Sequence, residues 1–161
     1  MKGDPQTLKL LNEALRNELT AVNQYWLHYR LLDHIGLKRL AEFERAESID
    51  EMKHADRLAE RILFLDGLPN FQALGRLRIG ESVEEMLGAD LALELEAVAQ
   101  LKGAIAHCES VRDYVSRDLF ADILANEESH VDTLERQFEM IERMGLQNYV
   151  QLQSKPAESG A

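Results

Sequence analysis

Glu47-Ser48-Ile49-Asp50-Glu51-Met52-Lys53-His54 and, 76 residues further on, Ile123-Leu124-Ala125-Asn126-Glu127-Glu128-Ser129-His130 each contain a Glu-x-x-His. A lone glutamate stands 33 residues before each pair, Glu18 before Glu51 and Glu94 before Glu127. Asp56 and Asp132, and Leu58 and Leu134, keep the same offset. Two half-chains with one arrangement of candidate ligands predict a pseudo-twofold site that holds two metal ions. Glu and His at i, i+3 share a helix face, so one helix can offer both to one metal.

These residues interrupt apolar stripes. The first helical stripe reads Leu8, Leu11, Leu15, Glu18, Val22, Tyr25, Tyr29. The second reads Leu40, Phe43, Glu47, Glu51, His54, Leu58, Ile62, Leu65. Leu87, Leu91, Glu94, Val98, Leu101 and Ile105 form the third, and Phe120, Leu124, Glu127, His130, Leu134, Phe138 and Ile141 the fourth. Spacing of three and four residues points each stripe inward. Burying an unpaired carboxylate costs several kcal/mol or more, and no Arg or Lys shares these stripes. Two divalent cations would match four carboxylates and two neutral imidazoles. Oxygen-rich coordination with one imidazole per metal suits iron or manganese better than structural zinc.

The stripes set the architecture. Asp4-Pro5 caps a first helix that runs to about His34 and ends at Gly36. A second covers about Lys38 to Leu65, and Asp66-Gly67-Leu68-Pro69-Asn70 breaks it. Ser82-Val83-Glu84-Glu85 is a capping box that opens a third. No Gly or Pro ends that helix, but Gly36 maps onto Arg112 in the repeat, so the break belongs near Arg112-Asp113. A fourth helix continues to about Met144, and a short fifth piece covers Leu146 to Leu152. The expected fold is all-α: a four-helix bundle with a long crossover between helices two and three and a short C-terminal fifth helix. Residues 1–154 form one domain on this reading, and 155–161 a disordered tail.

Composition narrows the function. The chain has 161 residues with 45% hydrophobic and 29% charged, enough for one buried core. A net charge of −11 disfavours nucleic acid and favours cations. Cys108 is the only cysteine, which excludes an intrachain disulfide or a cysteine-ligated metal cluster and fits a cytoplasmic setting. No signal peptide and no membrane span are expected. Cys108 should be a small buried residue, and Trp26 either core or a subunit interface. His28, His34 and His107 lack ligand-spaced partners and read as core or surface histidines. Asp50 and Asn126, each four residues before a candidate ligand histidine, are candidates to orient the imidazoles. Tyr25 is a candidate to sit over the site.

With these residues in view the chain resembles the bacterioferritins, the haem-containing branch of the ferritins. The matching stretches include Glu18-Leu19-Thr20-Ala21-Val22-Asn23-Gln24-Tyr25, Glu47 to Asp56, Arg61 to Asn70, and Glu127-Glu128-Ser129-His130. The resemblance implies a di-iron ferroxidase centre, with Glu18, Glu51 and His54 on one iron and Glu94, Glu127 and His130 on the other. Glu51 and Glu127 would bridge. It implies oxidation of Fe(II) by dioxygen or peroxide, with ferric mineral stored in a shell of 24 subunits built of dimers. Met52 would be the axial ligand of a b-type haem shared by two subunits, and a small ferredoxin the electron donor for iron release. Ala46 stands where some members carry a His that joins Asp50 at an extra inner-surface iron site, so that site lacks a ligand here. Two other readings compete: a DNA-protecting mini-ferritin, disfavoured by the absence of a basic tail, and a purely structural helical bundle.

Overall fold

The Thr7 N–H donates to the Asp4 carboxylate at 2.9 Å, and Pro5 occupies the first helical turn where its missing N–H costs nothing. α1 (Pro5–His34) grows from this cap in a computed structural model that describes residues 1–155. α2 (Lys38–Phe64), α3 (Val83–Ser110), α4 (Tyr114–Met144) and α5 (Leu146–Gln153) follow. Ser82 caps α3 by accepting the Glu85 N–H, while the Glu85 carboxylate accepts from Glu81 rather than from Ser82 itself. The repeat places the third break correctly. Gly36 turns the chain at φ +89°, and Arg112 takes the same left-handed region at φ +61°. Of the tail expected at 155–161, all but Lys155 lies outside the described residues.

α1 packs against α2 and α3 against α4, with α1 also meeting α3. The segment 66–82 is the crossover, and side chains on one face of α1 hold it by its backbone. The Asn70 N–H donates to Asn12 Oδ1, Gly75 N–H to Thr20 Oγ1, Arg78 N–H to Gln24 Oε1 and Gly80 N–H to His28 Nε2. From Asn12 to His28 the strap follows about 24 Å of helix. This satisfies backbone groups that no sheet or helix pairs.

Gly80 is where the strap comes closest. A Cβ there would lie 2.3 Å from the Met86 backbone nitrogen. Gly80→Ala is therefore expected to lower stability by roughly 2 kcal/mol or more, because backbone must move and the bond to His28 is lost. Gly103→Ala, at a helical position with open space around it, should gain up to about 1 kcal/mol. Thermal melts of the two variants followed by circular dichroism check the contrast.

The core is split. One apolar cluster joins Leu11 and Leu15 of α1, Leu58 and Ile62 of α2, Leu101 of α3 and Phe120 and Ile123 of α4. A second joins Leu32, Leu40, Leu87, Leu134 and Tyr149, the last from α5. Between them, every long helix contributes buried polar side chains: Glu18, Gln24 and His28; Glu44, Glu51 and His54; Asp90 and Glu94; Glu127 and His130. The bundle is oil above and below a polar layer.

Candidate metal centre

Glu18 from α1, Glu51 and His54 from α2, Glu94 from α3, and Glu127 and His130 from α4 converge in that layer, each at most 8% exposed. Donor atoms of Glu18, Glu51, His54 and Glu127 can all lie within 4.8 Å of one another. So can those of Glu51, Glu94, Glu127 and His130. Glu51 and Glu127 belong to both groups. A helix stripe can present one Glu and one His on the same face, and antiparallel packing of two such stripes produces the overlap.

The histidines face inward across the two shared carboxylates. His54 Nδ1 is 3.0 Å from Glu127 Oε1 and 3.5 Å from Glu51 Oε2. His130 Nδ1 is 2.9 Å from Glu51 Oε1 and 3.6 Å from Glu94 Oε1. The two rings lie 6.4 Å apart, nearly parallel at 25°. These approaches are close but not aligned as hydrogen bonds. His54 Nδ1, His130 Nδ1, both oxygens of Glu51, Glu94 Oε2 and Glu127 Oε1 are all buried without a hydrogen-bond partner. Six orphaned donor atoms around one point are costly unless a cation occupies it.

The electrostatics carry the same strain. Burial, then the charges of Glu51 and Glu127, push the Glu18 carboxyl well above the usual range. Burial and the Glu51 charge push Glu127 up in the same way. Glu51 moves the other way. Burial opposes it, but the close approach of Glu18, His130 and His54 holds it well below the ordinary value. His130 resists burial through Glu47, Glu51 and Glu94, which raise its affinity for a proton. Without metal, the cluster holds protons where cations would sit.

Two surrounding groups support the centre. The Tyr25 hydroxyl donates to Glu94 Oε1 at 2.5 Å, which fixes that carboxylate and puts Tyr25 beside the site. Glu47 Oε2 lies 2.8 Å from His130 Nε2, the ring nitrogen facing away from the centre. The expected roles of Asp50 and Asn126 need correction. Asn126 is exposed and donates to the Asp122 carbonyl one turn back. Asp50 gathers with Glu47 near His130 rather than at His54. Helical side chains lean toward the N-terminus, so a residue four positions earlier leans away from its histidine, and support comes from the neighbouring helix. Glu47 stood on the apolar stripe, which was the available signal.

Other histidines found partners that spacing along the repeat cannot reveal. His28 is fully buried against Asp90 at 2.9 Å, and His107 meets Asp4 at 2.8 Å. Cys108 is fully buried, as expected, and burial pushes its thiol up to about 11. Trp26 is not core. It is 42% exposed and packs edge-on against Tyr29. Met52 lies about 100° around α2 from Glu51 and is 46% exposed, in a cleft of about 440 Å³ with Lys53, Asp56, Arg57 and Phe71.

A family model described as a ferritin-like domain matches residues 8–144. A protein of Brucella melitensis named bacterioferritin is 51% identical, with 98% of each chain covered. The bacterioferritin of Mycolicibacterium paratuberculosis is 50% identical over 97% of this chain and 99% of its own. That of Streptomyces coelicolor is 48% identical over 99% and 98%. This chain belongs to the bacterioferritin family. The all-α four-helix bundle is the fold of the ferritin-like domain, α5 follows the matched residues, and the polar layer of this chain lies between its two apolar clusters. No helix among the described residues is long and apolar enough to cross a membrane.

Proposed function

We propose that this bacterioferritin-family protein stores iron and acts as a ferroxidase. Fe(II) is the substrate, held by Glu18, Glu51 and His54 at one position and by Glu94, Glu127 and His130 at the other. The overlap of the two donor groups at Glu51 and Glu127 carries this reading, because two shared carboxylates suit a pair of adjacent cations. The bound pair supplies two electrons to dioxygen or peroxide. The chain's contribution is geometric and electrostatic. Glu51 stays ionised to receive the metals, Glu18 and Glu127 give up protons on binding, and Tyr25 and Glu47 hold Glu94 and His130 in place. Buried apolar clusters on both sides shield the site from bulk solvent. Two imidazole donors, with carboxylates in excess, favour a hard, redox-active ion.

Storage needs a container. Large apolar side chains left exposed on the single chain, Ile35, Leu63, Phe64 and Val115 among them, support self-association. The 24-subunit shell built of dimers is the assembly proposed. Met52, half-exposed in a partly apolar cleft, would hold a b-type haem together with the Met52 of a second subunit. Lys53 and Arg57 beside it suit carboxylate substituents. Such a haem would supply electron transfer, with a small ferredoxin as the proposed donor.

Anaerobic titration with Fe(II) tests the centre: saturation at two ions per subunit is expected, and loading without a defined stoichiometry would overturn the proposal. Met52→Leu should abolish haem absorbance while assembly mass and Fe(II) oxidation stay native. Haem retained with an unaltered spectrum would assign the ligand elsewhere.

A further inference from the structure

Glu44 of α2 and Asp90 of α3 form a second buried carboxyl pair that the six candidate ligands do not use. Both are fully buried, and Glu44 borders the part of the core that α5 covers. Asp90 Oδ1 accepts the Gln24 Nε2–H at 2.9 Å and lies 2.9 Å from His28 Nδ1. The strap fixes both of these partners. Arg78 N–H donates to Gln24 Oε1, so the amide must turn its NH₂ toward Asp90. Gly80 N–H donates to His28 Nε2, so the ring proton sits on Nδ1 and points at Asp90.

That tautomer decides what the pair can hold. His28, Glu44 and Asp90 bring possible donor atoms within 4.8 Å. Yet a ring whose Nε2 accepts from backbone and whose Nδ1 carries a proton has no lone pair for a metal. Two carboxyls remain, which is a poor cation site. Asp90 Oδ2 and both Glu44 oxygens still have no partner, and among the described residues neither group meets a Lys or Arg. Two adjacent ionised carboxylates inside a bundle repel strongly, and one proton between them removes the repulsion and partners Oδ2 at once.

We propose that Glu44 and Asp90 share one proton, Glu44 as the acid and Asp90 as the acceptor, and that this pair is the proton reserve of the ferroxidase centre. Other groups agree. His28 and Tyr25 of α1, Glu94 of α3, Glu47 of α2 with His130 of α4 behind it, and Tyr149 of α5 surround the pair. Burial, with Asp90 beside it, raises the Glu44 carboxyl well above the usual range. Tyr25 ties this neighbourhood to the centre: the charges of Glu94 and Asp90 both act on it, and it donates to Glu94.

The role rests on the ferroxidase reading. Oxidation of two Fe(II) to two Fe(III) releases two electrons. Dioxygen takes them with two protons to give hydrogen peroxide, or peroxide takes them with two protons to give two waters. Glu44 supplies one of those protons by breaking its O–H bond, and solvent supplies the other. The carboxylate left behind offsets one of the two positive charges gained, and solvent returns the proton afterwards.

Glu44→Gln tests this, since its amide can donate to Asp90 Oδ2 as the acid does but cannot release a proton. The variant assembly should bind two Fe(II) per subunit and oxidise them at least about tenfold more slowly in a single turnover. Glu44→Asp should recover part of the rate. Infrared spectra of assemblies filled with redox-inert Zn(II), whose ligands have lost their protons, should show a neutral-carboxyl carbonyl band. It should shift in D₂O and be absent from Glu44→Gln. A spectrum without that band, or a native rate in Glu44→Gln, would overturn the proposal. So would a third Mn(II) bound per subunit in the native protein and lost in Glu44→Gln. If the native protein fails to oxidise Fe(II), the ferroxidase reading and the reserve role both fall, while the band still decides whether the proton is shared.

Discussion

Glu51→Ala and Glu127→Ala are each expected to abolish rapid Fe(II) oxidation, by at least about 100-fold, whereas Glu18→Ala and His130→Ala should leave one of the two iron positions able to fill. The difference follows from membership. Glu51 and Glu127 offer donor atoms to both groups, while Glu18 and His130 each serve only one. Losing a supporting group around a metal typically costs 10–100-fold in affinity or activity, so losing a shared ligand should exceed that range. Anaerobic Fe(II) titration separates the classes. Near-zero binding is expected for the shared carboxylates and about one ion per subunit for the unshared residues. Equal losses in all four variants would remove the special place of Glu51 and Glu127. Stability should move the opposite way. The charges of neighbouring carboxylates push Glu18 and Glu127 up, so removing either relieves repulsion in the metal-free cluster, and Glu18→Ala and Glu127→Ala should not unfold more easily than the native apoprotein.

The six candidate ligands were legible because polar residues at positions that periodicity sends inward violate the hydrophobic rule, and the violation recurs at a fixed offset. The same offset located the break at Arg112, where no Gly or Pro marks a turn. Length alone argued for the crossover, but not its fastening. No local pattern says that Asn12, Thr20, Gln24 and His28 would spend their side chains on the strap's backbone. His28 and Asp90 are 62 positions apart, Gln24 and Asp90 66, and neither pair repeats in the other half-chain. The pseudo-symmetry that reveals the candidate metal centre therefore conceals the pair beside it. Asn126 failed as a supporting group for a related reason. The repeat matched it to Asp50, but support around an imidazole depends on which helix packs opposite, and there Glu47 reaches across from α2 to α4. Glu44 was missed altogether, since one more glutamate among 29 acidic residues carries no signal until its burial is known.

Proton competition sets the second large effect: metal should stabilise the fold more as pH rises. Glu18 and Glu127 are raised above the ordinary carboxylate value, and His130 above the ordinary imidazole value. The metal-free fold therefore binds these protons more tightly than the unfolded chain does. For the two carboxyls this stabilisation is present at mildly acid pH and is lost as pH climbs through the raised values. His130 has the same sign, its contribution being complete below about pH 6.5 and lost as pH rises through the raised folded value. Glu51, held low, acts oppositely and gives up its contribution only in strong acid. Cations must displace the protons on Glu18, Glu127 and His130, so affinity tightens by about tenfold per pH unit for each proton expelled. At a hundredfold excess over Kd, one site adds about 2.7 kcal/mol. Melting the assembly with and without Zn(II) at about pH 6 and about pH 8 reads the outcome. The metal-free Tm should fall with pH while the gap between loaded and metal-free widens. Glu18→Gln combined with Glu127→Gln should flatten both trends, because amides at these positions carry no displaceable proton. A gap that stays constant in the native protein would mean that the cluster enters metal binding already ionised, and the proton-loaded description of the centre would have to be abandoned.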